Sequence, residues 1–273
     1  MKIKLYYYSA GGNFGDAINP VILEKIFGLK SDESSPAQAQ LFMIGSILNK
    51  AFISRRKIFR RVCHSFKEPL NIWSSGFIHD KLNKVCAPRK LNVCALRGNL
   101  SKLLLEKVLG KTFNVSLGDG GLLIARLFDI KPEKKYSVGI IPHFVDENLP
   151  EVKLISSKIS GSTVISPLGD PVQCARKIAE CETIISSSLH GLIAADSFGI
   201  PNRQIILSDK IVGGLFKYND YYSVFNKTAK PLTFNDLLNY SVTAETIRES
   251  YDISFSQVQE LQAQLIETFP FYS

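Results

Sequence analysis

The sequence predicts an α/β protein built from two domains with parallel sheets. Short apolar runs alternate with segments of helical periodicity along 273 residues, which is the pattern of strand–helix units. Small and polar residues follow several of the apolar runs, as expected where parallel strands deliver a ligand site at one edge. Because the length exceeds that of a typical domain, we expect two domains, residues 1–131 and 132–273.

The elements follow from the hydrophobic pattern in chain order. The predicted strands are Ile3–Tyr8, Leu41–Ile44, Asn71–Trp73, Asn92–Ala95, Val115–Leu117, Tyr136–Ile141, Thr163–Ile165, Thr183–Ser186 and Asn202–Ile206. The predicted helices are Ala17–Phe27, Leu100–Leu109, Val172–Ala179, Gly191–Phe198 and Ser254–Glu267. The last helix carries an apolar stripe at helical spacing, so we expect it to pack as core. The polar, proline-containing segment 129–135 predicts the domain linker.

The apolar runs, the N-terminal residues and the cysteines indicate which classes of protein the sequence fits. No run of 18 uncharged apolar residues occurs, so no membrane span is predicted, and the N-terminus is typical of a first strand rather than a signal peptide. The five cysteines are an odd number without C-x-x-C spacing. They predict reduced thiols in a cytoplasmic protein and no metal site.

Positive charge is concentrated in residues 50–111, which contain 15 Lys/Arg and 3 Asp/Glu. Its densest part mixes basic and apolar side chains, a composition that suits phosphate, nucleic acid or an acidic membrane surface. The sequence contains no recognisable nucleic-acid module, so we expect no nucleic-acid partner. A solvated basic face is the alternative. The basic residues of this segment are Arg55, Arg56, Lys57, Arg60 and Arg61.

The segment 183–202 carries the most informative motif. An apolar strand runs into three serines and then His190, followed by a helix of small residues. Free N–H groups and the macrodipole make such a helix start attractive to anions. A histidine there is suited to donate a proton beside a bound phosphate or carboxylate. The alternative is a structural histidine beside ordinary N-cap serines.

A glycine-rich turn at residues 9–20 follows the first strand and matches neither a dinucleotide fingerprint nor a P-loop. Its Asn13, Asp16 and Asn19 are suited to bind sugar hydroxyls or to orient a catalytic group. The alternative is a plain strand-to-helix turn with Asp16 as the N-cap.

Further polar residues follow other predicted strands. Arg97 is suited to bind a phosphate or carboxylate with two hydrogen bonds, and His143 follows the first strand of the second series. Lys217 lies among aromatic residues at 213–223, which indicates either an anion site or an aromatic surface loop.

Taken together, these motifs resemble the polysaccharide pyruvyl transferase family. The resemblance covers about residues 3–225 and rests on the order of five motifs, of which Leu189-His190-Gly191 is the most specific. The motifs are Gly12-Asn13-Phe14-Gly15-Asp16, Trp73-Ser74-Ser75-Gly76, Leu96-Arg97-Gly98, Gly118-Asp119 and Ser187-Ser188-Leu189-His190-Gly191. It implies two Rossmann-like domains arranged as in glycosyltransferase-B enzymes, with a C-terminal helix. It also implies transfer of a pyruvyl group from phosphoenolpyruvate to two hydroxyls of a sugar, forming a cyclic ketal without a cofactor.

The resemblance assigns provisional roles. His190 is the expected acid and Asp16 the group that orients or deprotonates an acceptor hydroxyl. The expected donor-binding residues are Arg97, Ser187, Ser188, Leu189, Gly191 and Lys217. The expected acceptor-binding residues are Asn13, Gly15, Asn19, Gly76, Asp119 and His143. Many relatives have arginine where this chain has Ser188, so Arg97 and Lys217 are the candidates to replace its charge.

The resemblance also suggests partners and a location. A lipid-diphosphate-linked saccharide is the expected acceptor, and the basic segment would dock on the inner face of the cytoplasmic membrane. The protein is therefore expected to be cytoplasmic with peripheral membrane attachment. Two other functions stay open: a nucleotide-sugar glycosyltransferase of the same architecture, and a non-catalytic sugar-binding scaffold.

Overall fold

The computed structural model describes residues 2–54, 68–130, 132–239 and 241–271. The strands are β1 (Lys2–Tyr6), β2 (Lys30–Glu33), β3 (Leu41–Phe42), β4 (Ile53–Ser54), β5 (Leu70–Ile72), β6 (Val85–Cys86), β7 (Leu91–Val93), β8 (Ala95–Leu96), β9 (Ser116–Leu117), β10 (Tyr136–Ile141), β11 (Ser162–Val164), β12 (Cys181–Ser186), β13 (Asn202–Ile206) and β14 (Leu232–Thr233). The helices are α1 (Phe14–Phe27), α2 (Asn99–Leu109), α3 (Pro150–Lys158), α4 (Pro171–Ala179), α5 (Leu189–Ser197), α6 (Phe216–Tyr222), α7 (Phe234–Asn239), α8 (Ala244–Ser250) and α9 (Phe255–Glu267). The α/β class is confirmed.

Two five-stranded parallel sheets dominate the part of the chain that the structure describes. Their spatial orders are β2-β1-β3-β5-β7 and β11-β10-β12-β13-β14. Counted within each sheet, both have the order 2-1-3-4-5 that is known from doubly wound α/β proteins. In such sheets the connections that follow the first and third strands run in opposite directions, which leaves a gap between these two neighbouring strands. Ligands bind in this gap, at the carboxyl ends of the strands. The gaps here lie between β1 and β3 and between β10 and β12.

Most predicted elements are present, with informative differences. The polar edge strand β2 lacks an apolar signal and was not predicted. Helix α5 begins at Leu189, two residues before the predicted start, so His190 lies in its first turn. The segment around Lys217 forms α6 with a largely buried surface, and the alternative of a surface loop is wrong.

The terminal helix α9 packs across both halves. Val258 and Leu265 are fully buried, as the stripe predicts. Trp73 of the first half donates its indole N–H to the Leu265 carbonyl at 2.9 Å, and the Gln262 amide donates to the Leu122 carbonyl at 2.8 Å. The two halves therefore share apolar core, while the predicted domain boundary near residue 131 stays a prediction.

A direct backbone contact ties the glycine-rich turn to the second half. The Phe14 N–H donates to the Pro167 carbonyl at 2.6 Å, which fixes the start of α1 beside the loop after β11. Within the described residues, no helix combines the length and apolar character needed to cross a bilayer.

Candidate active site

A cavity of about 340 Å³ lies where the carboxyl ends of the two sheets meet. Much of its wall comes from the segments after β1, β3, β10 and β12, which are the four strands that flank the two gaps in strand order. Segments after β5, β11 and β13, and the start of α6, complete it. The arrangement follows from parallel topology, because every strand of such a sheet ends at the same edge. The predicted site residues that line it are Asn13, Asp16, His143, Ser188, Leu189, His190 and Lys217.

His190 is held between the two halves. Its side chain is 13% exposed, and its Nε2 lies 3.9 Å from Oδ2 of the buried Asp119. Among the described residues, neither of these two atoms has a hydrogen-bond partner. The ring packs against Gly15 of α1, where a Cβ would lie only 1.9 Å from Nδ1. Gly15 is therefore needed to leave room for the imidazole.

The surroundings of His190 disfavour its charged form. Burial lowers its pKa to about 3, and the charges of Arg97 and Lys217 act in the same direction, as does His143 in its protonated form. Burial raises the pKa of Asp119 to about 6. At pH 7 the structure therefore has a neutral imidazole facing a carboxylate whose second oxygen is unpaired.

Lys217 is a buried cation aimed at the cavity. It is 8% exposed, and among the described residues its ammonium has neither a hydrogen-bond acceptor nor an ion-pair partner within 4 Å. Burial and the charge of Arg97 lower its pKa to about 8, against the opposite influence of Asp16 and Asp146. The ammonium is thus mostly charged at pH 7 and available to an anion.

Asp16 and Asn13 form the opposite wall. The Asn13 side chain caps α1 by accepting the Asp16 N–H at 3.2 Å, and its amide donates to Asp16 Oδ2 at 2.5 Å. The N-cap is therefore Asn13, not Asp16. Burial raises the pKa of Asp16 to about 6, and the hydrogen bond from Asn13 acts in the opposite direction by stabilising the carboxylate. A carboxylate with that pKa is suited to accept a proton near neutral pH.

Arg97 is placed differently from its predicted role. It is fully buried, and its guanidinium donates to Asp220 at 2.8 Å, to Ser46 at 2.6 Å and to the Phe77 carbonyl at 2.6 Å. Asp220 also accepts from the N–H and hydroxyl of Ser101. Arg97 therefore joins β8, α2 and α6 and does not line the cavity. Its charge nevertheless lowers the pKa of His190 and of Lys217.

Several other predicted residues support the cavity from outside it. The Asn19 side chain exchanges two hydrogen bonds with the backbone of Ile44 and so ties α1 to the segment after β3. Gly76 leaves space for the Arg97 guanidinium, since a Cβ there would lie 2.3 Å from its central carbon. A Cβ at Gly191 would lie 2.5 Å from the Ser186 hydroxyl oxygen. Their predicted contacts with ligand stay predictions.

The segment after β10 is fixed by Ser187. This buried serine accepts the His143 N–H at 2.8 Å and lies 3.4 Å from a carboxylate oxygen of Asp146. Ser187 thus positions the cavity wall from behind. Burial and the charge of Lys217 lower the pKa of His143 to about 4, so this imidazole is neutral at pH 7.

Sequence reasoning missed two cationic residues of the cavity. Lys50 and Lys210 line it together with Lys217, and both are exposed at its mouth. Lys50 lies in a short 3₁₀ helix and Lys210 in a loop. Neither segment has a local motif, so no pattern distinguishes them from other surface lysines. Tyr6, Tyr8 and Ser46 complete the first-half wall. The basic segment with Arg55, Arg56, Lys57, Arg60 and Arg61 lies outside the described residues.

Comparison with known proteins agrees with these motifs. Residues 119–205 match the family model described as polysaccharide pyruvyl transferase. The chain is 33% identical over 135 residues to an uncharacterized protein of Acanthamoeba polyphaga mimivirus, covering 48% of this chain and 47% of that protein. It is 27% identical over 231 residues to the succinoglycan biosynthesis protein ExoV of Rhizobium meliloti (strain 1021), covering 84% of this chain and 67% of that one.

Among solved structures, the spinosyn rhamnosyltransferase SpnG is similar over 96% of this chain and 95% of its own, with 9% identity and a TM-score of 0.39. A likeness of that size supports no conclusion about arrangement or activity. The fold and cavity define an α/β protein with a cationic cleft between two parallel sheets. By its sequence, the chain is similar to the polysaccharide pyruvyl transferase family. It spans about half the length of its mimivirus relative.

Proposed function

We propose that the protein transfers a pyruvyl group from phosphoenolpyruvate to two hydroxyls of a sugar in a bacterial polysaccharide precursor, forming a cyclic ketal. One observation carries the proposal: the cavity combines three lysines with a histidine and a carboxylate of near-neutral pKa. Phosphoenolpyruvate is a small trianion that needs cations for its phosphate and carboxylate, an acid at C3 and a base at the acceptor. The similarity to the polysaccharide pyruvyl transferase family supports the same chemistry.

The donor would lie against the cations of the cavity. Lys217 would pair with one of its anionic groups, and Lys50 and Lys210 would screen the remaining charge at the mouth. The first turn of α5, from Ser188 onward, offers backbone N–H groups to the same anion. These groups replace the arginine that many relatives have at the position of Ser188.

His190 would act as the acid. The donor's negative charges would oppose those of Lys217 and Arg97 and so raise the pKa of the imidazole, which would then be protonated only beside bound donor. Proton transfer to C3 makes C2 electrophilic, and a sugar hydroxyl forms the first C2–O bond. Phosphate leaves with the electron pair of the C2–O bond that breaks. The second hydroxyl then closes the ketal.

Asp16 would serve the acceptor. Its carboxylate, held by Asn13, would take the proton of the attacking hydroxyl, and Tyr6, Tyr8 and His143 would flank the sugar. Each turnover consumes two hydroxyls and one phosphoenolpyruvate and releases one hydrogen phosphate, so protons and charge balance without a cofactor.

A lipid-diphosphate-linked saccharide at the inner face of the cytoplasmic membrane is the acceptor that we propose. The basic and apolar side chains at 52–61 suit an anionic surface, where each basic residue contributes about 1 kcal/mol of attraction. Peripheral attachment would bring the cavity close to a lipid-linked substrate.

Thermal shift tests the donor. Stabilisation by phosphoenolpyruvate is expected because a ligand that binds only the folded state raises its stability. Stabilisation by uridine diphosphate instead would favour a nucleotide-sugar glycosyltransferase, and a response to neither would favour a non-catalytic scaffold.

Phosphate release tests the reaction. We expect phosphoenolpyruvate to release phosphate when polyprenyl-diphosphate-linked saccharides are added, with the ketal detected by mass spectrometry. His190→Ala should lower turnover at least about 10²-fold, the usual contribution of a positioned acid. His79→Ala, at a histidine that does not line the cavity, is the matched control. Near-normal turnover in the His190 variant would refute its assignment as the acid.

A further inference from the structure

Asp119 and His190 form an unusual pair of buried groups. Asp119 is fully buried at the start of the 3₁₀ helix Gly120–Leu127, and His190 lies in the first turn of α5. Asp119 Oδ1 accepts the Gly121 N–H at 2.8 Å, which fixes the carboxylate plane. Its Oδ2 and His190 Nε2 are both buried, have no hydrogen-bond partner in the part of the chain that the structure describes, and lie 3.9 Å apart.

A buried polar atom without a partner is costly, so two such atoms that face each other would both be stabilised by a hydrogen bond between them. A displacement of about 1 Å would bring the two atoms to hydrogen-bond distance. The other ring nitrogen, Nδ1, lies on the side of Gly15 and the glycine-rich turn, the turn that supplies Asn13 and Asp16 to the cavity wall.

We propose that Asp119 is a positioning residue that holds the imidazole proton of His190 on Nε2, so that Nδ1 is the nitrogen that exchanges a proton with the substrate. Proton exchange between Nδ1 and the substrate rests on the proposed function, whereas the position of the imidazole proton on Nε2 does not. In the acid step the Nδ1–H bond breaks, its proton bonds to C3 of the donor, and Nδ1 keeps the electron pair. Nε2 keeps its proton and its hydrogen bond to Asp119 throughout this step.

Electrostatics around the pair agree with this role. The cations Arg97 and Lys217, together with His143, face His190 and oppose its charging. Arg97 and Asp220 act on Asp119 in opposite directions. Asp119 is the carboxylate that faces the ring within the described salt bridges. It is therefore placed to stabilise the imidazolium that the donor's charge would create.

The test is ¹⁵N NMR of histidine-labelled protein at pH 8, where His190 is neutral, with its signals assigned by comparison with His190→Gln. We expect the proton on Nε2 in the wild type. In Asp119→Asn the amide oxygen is retained by the Gly121 N–H, so the amide N–H₂ faces Nε2 and the proton moves to Nδ1. A wild-type proton on Nδ1, or an unchanged tautomer in Asp119→Asn, would overturn the proposal.

Asp196→Asn is the matched control. Asp196 is also fully buried and lies on α5, but its carboxylate accepts from Tyr221, Asn202 and Tyr251 and not from His190. This variant should leave the tautomer unchanged even where it lowers stability. Should Asp119→Asn fail to fold, the wild-type tautomer alone decides.

Activity gives a second readout. The same exchange in serine proteases leaves the geometry intact and costs about 10⁴-fold in kcat, so we expect kcat to fall about 10²–10⁴-fold while the thermal shift by phosphoenolpyruvate is retained. Unchanged kcat would count against Asp119. If the wild type transfers no pyruvyl group, the proposed function fails, and the NMR result still tests the pair.

Discussion

Replacing Lys217 by methionine should make the protein more stable and weaken the binding of its donor. Lys217 is 8% exposed, and burial and the charge of Arg97 lower its pKa from 10.5 to about 8. That difference corresponds to about 3 kcal/mol by which the folded state disfavours the charged form. Methionine keeps most of the apolar stem, so Lys217→Met should recover much of this free energy at pH 7.

The pH dependence gives the sign of the effect. The pKa of Lys217 is lower in the folded than in the unfolded chain. Between about pH 8 and 10.5 the unfolded chain therefore binds more protons than the folded chain. Because of this difference, the free energy of unfolding of the wild type rises with pH over that range. The advantage of Lys217→Met should therefore be complete below about pH 8 and vanish near pH 10.5. Urea unfolding at pH 7 and 10.5 measures it, and Lys153→Met, on the exposed side of α3, is the control.

Donor binding should change in the opposite sense. Removing one partner of a buried charge pair costs about 2–5 kcal/mol, so phosphoenolpyruvate should bind at least about 30-fold more weakly in a thermal-shift titration. A variant that is less stable than the wild type at pH 7, or whose advantage is the same at both pH values, would refute this reasoning. Unchanged donor affinity would separate Lys217 from the donor site.

Two further predictions concern the turn and the basic segment. Gly15→Ala should abolish turnover, because its Cβ would lie 1.9 Å from His190 Nδ1. Gly11→Ala is the control and should be tolerated, because its Cβ would meet only contacts of 3.4 Å or more. Equal phosphate release by the two variants would contradict the packing of His190 against Gly15. In liposome sedimentation the protein should bind anionic vesicles in a salt-sensitive way, and undiminished binding after four changes to serine would exclude docking by this segment. The four residues are Arg55, Arg56, Arg60 and Arg61.

The site residues that the sequence revealed are those carried by local motifs. The turn with Asn13 and Asp16 and the helix entry at His190 each combine a strand end, small residues and a polar group within a few positions. Because parallel strands end at one edge, these local signals predict a shared site without knowledge of the packing.

Arg97 shows where such reasoning stops. An arginine at a strand end is equally suited to bind a ligand anion or an internal carboxylate, and the choice depends on what the fold places opposite it. Here α6 places Asp220 against the guanidinium at 2.8 Å. The partner lies more than a hundred positions away, so no local pattern could reveal it.

The sequence by itself determined the α/β class, most of the strands and helices, the resemblance to a family and the chemical character of the two central motifs, because these depend on periodicity and short-range residue order. Only the tertiary structure decided which side chains meet. Packing of α6 buries Lys217 at the cavity and engages Arg97, and the approach of the 3₁₀ helix to α5 brings Asp119 opposite His190. Such pairings depend on long-range packing and burial, which residue order along the chain does not specify.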